Sequence, residues 1–171
     1  MIGQSGVGKS HLLEGVGRRI CAHEYRVRYV ASDELLADLG ASLADGTMPK
    51  RIRYYTRFDL LIIDGFGFDR IERQEAPQAL SLLFKVVDKR NARSSTALIS
   101  NIDVEFWNEY LGDAPMVMAL IDRLMERAII MRLPDAKSYR ANSARQVSPT
   151  GTTTPRQTNG NPTRKTSRRK R

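Results

Sequence analysis

The chain has 171 residues, 41% of them hydrophobic, with 28 Lys and Arg against 19 Asp and Glu, two His and one Cys. That length suits one domain with a full core, and a lone Cys21 excludes an internal disulfide and a cysteine-based zinc site, leaving it as a small apolar residue on a helix. No apolar run reaches the ~18 residues of a membrane span and no signal-peptide layout is seen, so the expected address is the cytoplasm.

The net charge of +9 is uneven: ten of the 28 basic residues and one of the 19 acids lie between Pro134 and Arg171, leaving 18 of each in residues 1–133. The body is neutral and the tail carries the excess. Rich in Thr, Pro, Gly and Asn with almost nothing apolar to bury, residues 142–171 read as a disordered basic tail behind a domain of residues 1–141. Arg168-Arg169-Lys170-Arg171 is either a sequence-blind phosphate contact or a plain solvated terminus.

In chain order, Gly3-Gln4-Ser5-Gly6-Val7-Gly8-Lys9-Ser10 comes first and satisfies G-x-x-x-x-G-K-[ST]. Glycines with positive φ bring backbone N–H groups close to phosphate oxygens, and a helix beginning near Lys9 aims its positive end at them. Lys9 would reach the β- and γ-phosphates of a triphosphate, with the Ser10 hydroxyl a ligand of Mg2+. His11 stands where a dinucleotide fingerprint needs its third glycine. His11 and His23 are too few for a metal site.

The next stretch predicts a helix with Leu12, Leu13, Val16 and Ile20 on one face, then a strand placing Val27, Tyr29 and Ala31 opposite Arg26 and Arg28. Ser32 is the expected cap of a second helix, with Asp33 and Glu34 in its first turn. Leu60-Leu61-Ile62-Ile63, apolar on both faces and closing in Asp64, reads as a buried parallel strand delivering a carboxylate to the C-terminal edge of a sheet. Helix 76–90, strand 95–101, helices 104–111 and 115–128 and strand 129–133 follow. The alternation predicts an α/β three-layer sandwich with a mainly parallel sheet.

Asp64, about 55 residues beyond the loop, fits the metal-holding acid of a P-loop NTPase, which with Ser10 would complete a Mg2+ site. Asn101, ending the next strand, is placed either to orient the attacking water and touch the γ-phosphate or to cap the helix starting near Asp103. Lys50, Arg51, Arg53 and Arg57 around Tyr54 and Tyr55 suit either a nucleic-acid contact or a solvated approach to the buried strand. Phe106 and Trp107 read as core or a subunit contact.

The ordered series GQSGVGKSHL, YRVRYVASDELLADL, FDLLIIDGFG, ALISN, FWNEYLGDAPMVMALIDRLMERAIIMRL and KSYR, over about residues 1–140, resembles the IstB family of ATP-binding helpers of insertion-sequence transposition. That family is similar to the DnaC helicase loader, and both are AAA+ ATPases. The resemblance implies an AAA+ P-loop fold, ATP and Mg2+ as ligands, ATP-dependent homo-oligomerisation on double-stranded DNA, and a transposase of the same mobile element as partner. Position by position it implies Lys9 for phosphate, Ser10 and Asp64 for metal, Asn101 as sensor, and Arg123 as the arginine reaching the neighbouring subunit's nucleotide, with Arg127, one turn on, in reserve. Arg123 also suits an ordinary surface ion pair.

Two departures follow. Gly65 stands where the family has an acid that activates water, Asp69 being the next acid, so ATP binding is expected with hydrolysis slow or absent. Only Met1 and Ile2 precede the loop, so the first strand of the sheet and an N-terminal segment that would hold partner and DNA contacts are expected to be missing, as in a fragment that struggles to fold alone. A DnaC-like helicase loader, a small-molecule P-loop kinase and an inactive remnant are the competing readings.

Overall fold

The computed structural model describes residues 1–66, 76–111 and 114–133. Asp69, the KSYR stretch and the basic tail lie outside the described residues. Elements run β1 (Ile2–Gly3), α1 (Lys9–Cys21), β2 (Val27–Ala31), α2 (Ser32–Ala44), α3 (Met48–Thr56), β3 (Leu60–Phe66), α4 (Ala76–Arg90), β4 (Ser95–Ser100), a 3-10 turn (Val104–Phe106), α5 (Trp107–Leu111), α6 (Ala114–Met125) and β5 (Arg132–Leu133). The five strands form one parallel sheet in the order β2-β3-β4-β1-β5. The first strand, expected to be missing, is present in its central place as two residues, because the backbone of Ile2 finds partners on both sides, Ser100 on one and Arg132 on the other.

The apolar run of β3 is buried on both faces, as its sequence predicts. Leu60 and Ile62 join Ile99 on one side of the sheet, where Leu13 and Ile20 of α1 cover them with Val27 and Ala97. Leu61 and Ile63 enter a larger core on the other side with Leu35 and Leu39 of α2, Ile52 and Tyr55 of α3, Leu80, Leu83 and Val86 of α4, and Val117 and Leu120 of α6. Each such side chain stabilises the fold by about 1.5–3 kcal/mol. The sandwich therefore has three layers, with α1 alone among the described helices on the loop's side.

Four expectations are corrected in detail. The sheet-facing stripe of α1 is buried Lys9 and Gly17 with half-buried Leu13 and Ile20, while Leu12 and Val16 are exposed. Lys9 must turn inward, and at Gly17 the helix lies so close to the sheet that a Cβ would stand 3.2 Å from Ile62 Cδ1. Ser32 is not the cap of α2: Ala31 ends β2 and caps the helix directly, and the Ser32 hydroxyl donates to the Gly65 carbonyl at 3.2 Å. The last strand is Arg132–Leu133 rather than 129–133, with Ile129, Ile130 and Met131 exposed before it. Residues 48–56, read as part of either a nucleic-acid contact or a solvated approach to β3, form helix α3, begun by a proline in its first turn and anchored by buried Ile52 and Tyr55. Within that stretch Arg57 covers the rings of Tyr54 and Phe58 at 4.6 and 5.0 Å, and Arg51 pairs with Asp38, so its aromatics face their own chain.

Trp107 is core, its ring edge against Phe66 at 4.8 Å and its Nε1–H donating to the Ile102 carbonyl, while Phe106 is exposed. Cys21 ends α1, exposed.

Candidate nucleotide site

In a parallel sheet the strands end on one edge, and here β1, β3 and β4 deliver Gly3, Asp64 and Asn101 to that edge. Between Gly3 and α1 the loop turns through Gly6 at φ +83° and Gly8 at φ +90°, values that glycine adopts without the steric cost a Cβ imposes. Gly8 is also the N-cap of α1, and no side chain caps it, so the helix's first N–H groups are served by no side chain of their own cap. Gln4, Ser5, Gly8, Ser10 and His11 are exposed around the turn, with Gly6 and Val7 half-buried.

Lys9 is 4% exposed and folds back into the loop. Its ammonium donates to the carbonyls of Gly3 at 2.6 Å and Gln4 at 2.7 Å and to Asn101 Oδ1 at 2.7 Å. Burial lowers its pKa from the ordinary lysine value, and the charge of Asp64 works in the opposite sense. Asn101 is thus engaged with Lys9, and the helical turn after β4 is capped by Asp103 instead.

Asp64 accepts a hydrogen bond from the Tyr29 hydroxyl. Tyr29 thus occupies the carboxylate singled out as a metal ligand. Burial first and the Asp64 carboxylate second push the Tyr29 phenol up to about 12, so it remains a donor at neutral pH. Among the described residues no cluster of three or more His, Cys, Asp or Glu exists. A single hydroxyl and a single carboxylate suit Mg2+, which keeps several waters and takes its remaining ligands from phosphate.

Gly65 follows Asp64 with φ +79°, at a shift in register between β3 and β4. A Cβ there meets nothing within 4 Å, so the obstacle to an acid at this position is the backbone conformation and not space.

Arg123 is not brought to this edge. Its Nε donates to Asp88 at 2.9 Å and its Nη1 to Glu126 at 3.5 Å. Asp88 sits in the last turn of α4, which leads into the start of β4, so the pair lies toward the opposite end of the sheet. Arg127 lies past the end of α6 at φ +62° and does not continue the helical face that carries Arg123.

Sequence reasoning missed two polar residues. Tyr29 could have been found from the parity of β2 and β3, because Ala31 pairs with Asp64 and Tyr29 with Ile62 on the same face. Arg90, 1% exposed, donates to the carbonyls of Tyr55, Phe58 and Ser95 and to Thr96 Oγ1, and burial pushes its guanidinium down to about 10. A basic residue in a helix's last turn gave no signal of that clamp.

Residues 1–147 match the family model described as IstB-like ATP binding protein. The chain belongs to this family. The IS232 insertion-sequence protein of Bacillus thuringiensis subsp. berliner, named for ATP binding, is 30% identical over 139 residues, 81% of this chain and 54% of that relative. The IS21 protein of Pseudomonas aeruginosa, likewise named, is 29% identical over 147 residues, 86% of this chain and 54% of the relative. The chain thus spans about half the length of the curated IstB-like relatives it matches. Among solved structures, domain III of Thermotoga maritima DnaA is similar with a TM-score of 0.62 and 23% identity, covering 78% of this chain and 54% of that one. The DnaC helicase loader gives 0.58 and 19%, covering 78% and 75%. These likenesses show the same fold as those proteins, the α/β architecture with a mainly parallel sheet expected from the sequence. Among the described residues no helix is long and apolar enough to cross a membrane.

Proposed function

We propose that this chain is an ATP-dependent helper of DNA transposition, binding ATP with Mg2+ at Gly3–Ser10, assembling with further copies on double-stranded target DNA, and recruiting or stimulating the transposase of the same mobile element. The observation that carries the reading is Lys9, buried and held by the Gly3 and Gln4 carbonyls and by Asn101, at the sheet edge that also holds Asp64. A buried lysine with loop carbonyls as partners is a cation ready to exchange them for phosphate oxygens.

In this reading the backbone N–H groups from Gln4 to His11 and the start of α1 cradle the phosphates, Lys9 neutralises the β- and γ-oxygens, and Ser10 and Asp64 hold Mg2+. The cation, when bound, supplies charge neutralisation between the phosphate oxygens. Asn101 orients water or touches the γ-phosphate. Arg123, remote from its own loop and half-exposed, serves the nucleotide of the next subunit once Asp88 releases it. Gly65 offers no carboxylate to activate water, so ATP acts chiefly as the ligand of assembly and its cleavage is slow.

The test is sedimentation of the purified chain with double-stranded DNA, with and without ATP and Mg2+, beside Lys9→Ala. A large DNA-bound assembly that needs ATP and is lost in the variant supports the reading. A chain that ATP leaves at one sedimentation coefficient refutes it.

A further inference from the structure

We propose that Tyr29 is a placeholder for the metal: its hydroxyl occupies the Asp64 carboxylate while no cation is bound, and it must leave before a divalent cation takes Asp64 together with Ser10. The inference rests on the reading of the loop as a site for ATP with Mg2+.

The geometry is specific. Tyr29 lies in β2, beside β3, and its ring stands on the sheet face from which Asp64 projects. The hydroxyl donates to Asp64 Oδ2, so β2 supplies the partner of a carboxylate carried by β3. A phenol suits this because its O–H donates and an ionised carboxylate only accepts. It would also compete with a cation, since Mg2+ needs the same Asp64 carboxylate turned toward itself. Tyr29 is 38% exposed, so the ring has solvent to swing into and is not needed as core. Lys9, the nearby cation, is meanwhile occupied by Gly3, Gln4 and Asn101, which leaves Tyr29 as the Asp64 partner on this edge.

Loss of one hydrogen bond to a charged group corresponds to about a tenfold change in an equilibrium. Tyr29→Phe keeps the ring and removes the competitor. With a fluorescent ATP analogue bound at fixed concentration, titration of Mg2+ is expected to give a midpoint about tenfold lower in Tyr29→Phe than in the wild type. The wild type alone should show a tyrosine ultraviolet difference band saturating with that midpoint. Binding of the analogue in EDTA, with Lys9→Ala as its control, tests the underlying reading separately. An unchanged or raised Mg2+ midpoint in a chain that binds the analogue overturns the placeholder and leaves the nucleotide site standing. A wild type that binds no analogue, with or without Mg2+, overturns both.

Discussion

Lys9→Ala is the substitution by which nucleotide binding would ordinarily be judged, and in this chain it should also destabilise the protein when no nucleotide is present. The Lys9 ammonium makes three short hydrogen bonds, two to loop carbonyls and one to Asn101, with its side chain almost wholly buried. Hydrogen bonds to a charged group contribute about 1.5–3 kcal/mol each. Much of that is offset, because Gln4 and Gly3 lie where water can reach their carbonyls and because burial already depresses the Lys9 pKa. A net loss of about 2–3 kcal/mol remains, which in a chain of this size lowers the melting temperature by roughly 5–10 °C. The assay is thermal unfolding by circular dichroism in EDTA without nucleotide, with Lys9→Met to separate charge from packing. Both variants should melt early. Melting within 2 °C of the wild type would refute the tie, and the loss of ATP binding in Lys9→Ala could then be assigned to phosphate contact alone.

Asn101→Asp places a carboxylate against Lys9, so without nucleotide the melting temperature should rise by a few degrees while ATP affinity falls about tenfold, as a fluorescent-analogue titration would show. Arg90→Leu leaves the carbonyls of Tyr55, Phe58 and Ser95 without their buried donor, and at about 1–3 kcal/mol for each unsatisfied group urea unfolding should record a loss of about 3–5 kcal/mol. The carboxyls of Asp59 and Asp103 are held below the ordinary aspartate value by hydrogen bonds from Arg26 and Arg132. A depressed acid stabilises the fold above its unfolded pKa of 3.8 and loses that contribution as pH falls through its lower folded value, so urea midpoints should drop below pH 4, less steeply in Asp59→Asn with Asp103→Asn. Gly65→Glu should cost about 1–2 kcal/mol for its left-handed backbone and still raise the ATPase rate measured by phosphate release.

The parts of the site legible in the sequence are those that local pattern determines. The loop announces itself by spacing, β3 by an apolar run closing in Asp64, and Asn101 by ending the next strand; the sheet order then brings them to one edge. The illegible parts depend on which side chains meet across elements. The outward turn of Leu12 and Val16 follows from the demand that Lys9 point inward, a constraint that outranks hydrophobic periodicity over one short helix. Helix α3 looks solvated because four of its nine residues, Lys50, Arg51, Arg53 and Thr56, are polar or basic, and its two anchors, Ile52 and Tyr55, declare themselves only against α2 and α4. Tyr29 reads as one more residue of an alternating strand until the register with β3 sets it beside Asp64.

Together these contacts describe an edge that satisfies itself. The Lys9 cation is balanced by loop carbonyls and Asn101, and the Asp64 anion by the Tyr29 hydroxyl. Under the proposed function, ATP and Mg2+ must exchange both sets, so part of their binding free energy goes into breaking contacts the chain makes with itself. Of the groups released, Tyr29 lies within β2, Asp64 near the end of β3 and Asn101 just past the end of β4. Two of those strands feed straight into packed elements: β2 passes without a loop into α2, whose Ser32 bonds the Gly65 carbonyl, and β4 passes through Ile102, whose carbonyl accepts from buried Trp107. Nucleotide and metal therefore act where a displacement of a few tenths of an ångström meets close-packed core, which yields in discrete rearrangements and not by gradual deformation. That is the mechanical requirement of a protein whose ATP serves assembly, and it needs no hydrolysis to operate.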